Sequence, residues 1–73
     1  MSWNYRLVED SHGGYAIHEV YYDNDGKAHS WSLHASPVYG ETVEETFSCL
    51  KMMREAFRKP IMKVKEDCIY EGD

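Results

Sequence analysis

The tetrapeptide Asp23-Asn-Asp-Gly26 sits between two segments in which apolar and polar side chains alternate, Tyr15–Tyr22 and residues 27–35. Asn, Asp and Gly tolerate the left-handed backbone of a tight hairpin turn, and a period of two marks half-buried strands. Together the two signals specify an antiparallel hairpin. With Asn24 and Asp25 at the turn centre and Gly26 forming a bulge, Asp23 pairs with Lys27. Tyr21 then faces His29, Glu19 faces Trp31 and Ile17 faces Leu33. In this register Tyr15, Ile17, Tyr21, Trp31, Leu33 and Ala35 form the core face, with Glu19 among them, explained either by an edge position or by a partner such as Arg54 or Arg6. The opposite face carries Ala16, His18, Val20, Tyr22, Ala28, Ser30, Ser32 and His34.

A first strand precedes the hairpin, because Trp3 to Val8 alternate and Asp10-Ser-His-Gly-Gly14 supplies a reversal. After the loop Ser36–Gly40, Thr42-Val-Glu-Glu45 has the spacing of a helix capping box, with Thr42 as N-cap and Glu45 reaching back. Val43, Thr46, Phe47, Leu50, Met53 and Phe57 recur at helical spacing, and Pro60 ends the helix. This stripe is expected to bury Val43, Phe47, Leu50 and Phe57 against Ile17, Leu33 and Trp31. Acidic residues at the start (Glu41, Glu44, Glu45) and basic ones at the end (Arg54, Arg58, Lys59) complement the helix dipole. Residues 61–65 form a short fourth strand, returned by a crossover to lie parallel with the first. The fold class is therefore α+β: a three-stranded antiparallel sheet, one amphipathic helix and a short fourth strand (βββαβ). Residues 1–73 make one small domain, and the acidic segment 66–73 is expected to fray.

A chain of 73 residues buries only about 60% of the surface its unfolded form exposes, so every apolar face matters. Its net charge of −5 repels phosphate backbones, which argues against nucleic acid as a direct ligand. No apolar run reaches the roughly 18 residues of a membrane span, and MSWNYRLVED has no export signature, so a cytoplasmic location is expected. Cys49 and Cys68 form no CxxC pair and read as reduced structural thiols.

The segments Tyr5-Arg-Leu-Val8, Gly13-Gly-Tyr-Ala-Ile17 and Tyr39-Gly-Glu-Thr-Val-Glu-Glu45, with the order of elements, give a pattern that resembles the HicB-like antitoxin domain over residues 5–64. That resemblance implies a truncated RNase H-like fold that has lost its catalytic carboxylates and binds another protein. HicB proteins usually carry a C-terminal DNA-binding segment, whereas the chain ends about a dozen residues after Pro60, so no DNA-binding role is carried over.

Seven of the ten aromatic residues lie before the helix, on both faces of the expected sheet, and one helix covers only one face. The excess marks an interaction surface, with Val20, Tyr22 and Tyr39 as partner-binding anchors. The expected function is that of a non-catalytic, acidic protein-interaction module that binds and inhibits a protein partner, with homodimerisation as a way to cover the open face. No cofactor is implied. The alternative is a small-ligand or metal-binding domain built on His18 and His34, for which no HxxxH or HExxH spacing supplies the remaining ligands. Ser30, Ser32, His34 and Glu19 contain the ingredients of a hydrolytic triad without a nucleophile elbow, so no enzyme is expected.

Overall fold

The computed structural model describes residues 2–72. Five strands, β1 (Ser2–Glu9), β2 (Tyr15–Tyr22), β3 (Ala28–Trp31), β4 (Met62–Lys65) and β5 (Cys68–Glu71), form one mixed sheet in the order β3-β2-β1-β4-β5. A single helix, α1 (Val43–Arg54), continues into a 3-10 turn over Glu55–Arg58. The architecture is α+β as expected, and β4 lies parallel to β1 with Val8 opposite Met62. The expected fraying of 66–73 is corrected over Cys68–Glu71, which pairs antiparallel with β4 as a fifth strand, and Asp73 lies outside the described residues. The connection is the two-residue turn Glu66-Asp67, in which Glu66 adopts a left-handed φ of 57°.

Two turns of the same construction set the first three strands. Asp10 Oδ1 accepts hydrogen bonds from the backbone N–H groups of His12 and Gly14, and Asp23 Oδ1 accepts from those of Asp25 and Lys27. Those bonds, the N–H of Gly14 and of Lys27 first, hold both carboxyls below their ordinary range. The glycine near the end of each turn, Gly13 or Gly26, takes the positive φ that its Asp-led reversal requires.

The hairpin begins in the expected register, with Asp23 N–H donating to the Lys27 carbonyl at 2.9 Å. It then shifts: Tyr22 faces Ala28 but Tyr21 faces Ser30, leaving His29 as an extra residue on β3. A one-residue slip moves every later side chain to the other face of a strand. Trp31 therefore opposes Val20 rather than Glu19. The face read from sequence as the open one is the buried one. Val8, Val20, Met62 and Ile69 form the core, and Tyr22, Ala28, Trp31 and Val64 pack against it. Tyr15, Leu33 and Ala35, expected in the core, are exposed.

The sheet is curled around this core, since its two edge strands β3 and β5 approach each other without pairing. β4 and β5 contribute Met62, Val64 and Ile69 to the concave side, so that side has its own cover and does not depend on the helix. Arg6, on the same face as Val8, is 3% exposed. Its guanidinium donates to the Tyr22 hydroxyl (3.0 Å), the Pro60 carbonyl (2.6 Å) and the Glu71 carboxylate (3.0 Å), tying β1 to β2, to the segment before β4 and to β5.

The helix starts as the capping box predicts, with the Glu45 N–H donating to Thr42 Oγ1 at 3.0 Å, although the Glu45 carboxylate accepts from the Glu41 N–H, one residue earlier than expected. Gly40 lies so close to the first turn that an added Cβ would collide with the backbone N of Thr46. Met53 and Ala56 are its buried residues, with Thr46 and Cys49 half-buried on the same side. The expected burial of Val43, Phe47, Leu50 and Phe57 is corrected: all four are exposed.

Met62→Ala and Met53→Ala should each cost about 2–5 kcal/mol of unfolding free energy. Phe47→Ala should cost about 0.5 kcal/mol or less, as a surface change does. Urea denaturation of dilute protein measures all three; a Phe47→Ala loss equal to that of Met62→Ala would return the outer helix face to the core.

Candidate interaction surface

Helical spacing divides α1 into two stripes. Thr46, Cys49 and Met53 turn inward and Ala56 follows in the 3-10 turn, while Val43, Phe47 and Leu50 form a second stripe that faces solvent at 86%, 59% and 48% exposure. The inward stripe is short and partly polar. It touches the sheet through the Tyr5 hydroxyl, 3.9 Å from Cys49 Sγ, and the loop before the helix through the Thr46 hydroxyl on the Gly40 carbonyl. The helix approaches β1 chiefly at its C-terminal end, through Met53 and the 3-10 turn, and the larger side chains of the other stripe face outward. Lys51 Nζ lies 5.5 Å from the centre of the Phe47 ring, a cation–π contact that covers one side of it. Val38 and Tyr39 are exposed on the loop that runs beside the helix, where Cys49 Sγ lies 3.9 Å from the Pro37 carbonyl.

The chain has more surface than its mass predicts. Its accessible area is 5555 Å², whereas a folded monomer of 8.6 kDa exposes about 4,700 Å². Its radius of gyration of 12.5 Å exceeds the roughly 11 Å expected of 73 residues. Large apolar side chains contribute to that excess, and contiguous apolar exposure marks interaction sites.

The three expected anchors do not share a surface. Val20 is fully buried beneath the concave face and is unable to meet a partner there. Tyr22 is half-buried, and its hydroxyl is engaged, donating to Asn4 Oδ1 at 2.7 Å and accepting from Arg6. Tyr39 is exposed, on the loop beside α1. Sequence reasoning missed Val43, Phe47 and Leu50 as surface residues, because an apolar stripe at helical spacing reads as core wherever the helix is assumed to cover the sheet.

A cavity of about 330 Å³ opens between the edge strands, lined by Tyr22, Lys27, Ala28, Met62, Ile69 and Glu71 among others. Arg6 supports it from below through Tyr22 and Glu71, and its Nε is buried with no hydrogen-bond partner.

His18 and His34 meet through Ser32. His18 Nδ1 lies 2.9 Å from the Ser32 carbonyl oxygen and 3.3 Å from its hydroxyl, and that hydroxyl donates to the His34 carbonyl. Ser32 thereby ties the end of the hairpin, also accepting the Glu19 N–H at 3.2 Å. No group of three or more His, Cys, Asp or Glu side chains is gathered among the described residues.

Glu19 finds neither Arg6 nor Arg54 but the Tyr21 hydroxyl, which donates to it at 2.8 Å. Losing that proton would break the bond and bring two anions together, so the Tyr21 pKa is raised, with some desolvation added. Tyr5 is raised as well, by burial first and then by its contact with Cys49.

No protein-family profile, curated protein or solved structure matches the chain. No helix among the described residues is long and apolar enough to cross a membrane.

Because the folded-state pKa values of Tyr5 and Tyr21 lie above the unfolded value, their contribution to stability is complete below about pH 10 and is lost as pH rises through the raised values. Tyr21→Phe should flatten the alkaline limb of the stability–pH curve. An unchanged limb, measured by urea titration on either side of about pH 10, would show that the Tyr21–Glu19 bond contributes nothing.

Proposed function

We propose that the chain is a non-catalytic protein-interaction module that docks through the outer stripe of α1. The observation that carries this reading is the exposure of Val43, Phe47 and Leu50 in a helix whose opposite side already packs on β1. In a chain this small an apolar stripe left in water sacrifices stability, and burying it against a partner recovers that loss. Aromatic and aliphatic side chains at the centre, with charged residues at both ends of the helix, have the composition of an interface core and rim.

The resemblance to the HicB-like antitoxin domain points the same way, towards a domain that works by occupying another protein. The order of elements through β4 and the Gly40-Glu-Thr-Val-Glu-Glu45 helix entry support it. An acidic module seated on a basic partner surface inhibits by covering it, and complementary potentials would speed the encounter. The reading as a ligand or metal domain on His18 and His34 draws less support, since the His18 ring is engaged with Ser32.

A photo-crosslinking residue placed at Phe47 in living cells of the native host, beside a control at Asn24 in the exposed hairpin turn, tests the proposal. Adducts should form at position 47 and be absent at 24. No adduct at 47, or equal adducts at both, would overturn it.

A further inference from the structure

The outer stripe of α1 has a property that selects among partners: its charges complement themselves under a twofold rotation. Glu44 and Lys51 lie seven residues apart, two turns of helix, and so flank the stripe on the same side, with Phe47 between them, three residues from the first and four from the second. When two such helices cross antiparallel with Phe47 at the centre, Glu44 of one copy comes beside Lys51 of the other, and the symmetry makes the pair twice. Leu50 of one copy then enters the gap between Val43 and Phe47 of its mate. Antiparallel packing also sets the positive end of each helix dipole beside the negative end of the other.

From this geometry we infer that the occupant of the stripe is a second copy of the chain, in an isologous dimer with α1 packed antiparallel on α1 across the twofold axis. The inference rests on the proposed interaction surface and names its partner. One observation besides the charge pattern supports it. Glu44 and Lys51 make no salt bridge within the chain among the described residues, and pairing across the axis draws Lys51 from its cation–π contact with Phe47 to the Glu44 of the second copy. A twofold contact needs only one patch, which serves both subunits.

The experiment is a charge exchange followed by sedimentation equilibrium. The wild type should pass from monomer to dimer as its concentration rises through the micromolar range. Glu44→Lys and Lys51→Glu each place like charges opposite one another and should each weaken the dimer at least tenfold. Mixed in equal amounts, the two variants should form a heterodimer of near wild-type affinity, because both cross-axis pairs are restored with their signs reversed. Both positions are exposed, so circular dichroism should show the fold unchanged in each variant. Phe47→Glu, at the axis, should leave a monomer at every concentration. A wild type that stays monomeric, a dimer that survives Phe47→Glu, or variants that fail to rescue each other would overturn the inference. Should the wild type be monomeric while position 47 still crosslinks to a different protein in cells, the second copy is refuted and the interaction surface stands.

Discussion

The single extra residue that β3 carries, His29, delivers Trp31 to the interior side of the sheet. Up to Tyr22 the hairpin follows the register that its Asp-rich turn dictates; beyond it, Trp31 is moved from the Glu19 side to the Val20 side. A bulge also bends and twists the strand that carries it. Both effects act together here, since the ring of Trp31 is delivered to the concave face and the sheet edge is turned towards β5. Without that shift, the concave side would keep Val8, Val20 and Met62 but lose the largest side chain packed against them.

Once the concave side is closed by the chain's own last two strands, the helix is left with a lesser task. It packs on β1 through Cys49, Met53 and their neighbours, and its larger side chains remain outside. The buried Arg6 belongs to the same arrangement. Its three hydrogen-bond partners come from β2, from Pro60 and from β5, so the group that would be most costly to bury alone is what fastens the C-terminal hairpin to the curl. Glu71 is mostly exposed and adds a screened contribution, whereas the Pro60 carbonyl and the Tyr22 hydroxyl hold the guanidinium from within.

What was legible in the sequence was local chemistry. Both Asp-led turns, the Thr42 cap, the helix and the parallel return of β4 could all be read because each depends on residues close in sequence or on a crossover rule. The bulge at His29 could not, since Ala28-His-Ser30 alternates as smoothly as an unbulged strand. β5 escaped notice because its turn, Glu66-Asp67, lacks the Gly or Asn that usually occupies a left-handed position, and Glu66 takes that conformation regardless. The two omissions compound each other. With Trp31 read on the helix side and Ile69 outside the core, the helix stripe is the cover that remains for the sheet, and the sequence reading puts Val43, Phe47 and Leu50 inside and Val20 outside. For the candidate surface, then, the residues of the stripe were identified from their spacing, while their exposure was not.

Trp31 joins Val20 on the interior face of the sheet, and cross-strand nuclear Overhauser effects in the β2–β3 hairpin are the measurement that tests this placement. Backbone contacts should pair Trp31 with Val20 and Tyr21 with Ser30, with His29 unpaired between them. Contacts pairing Trp31 with Glu19 and Tyr21 with His29 would contradict it, returning the hairpin to an unbulged register and Trp31 to the helix side of the sheet.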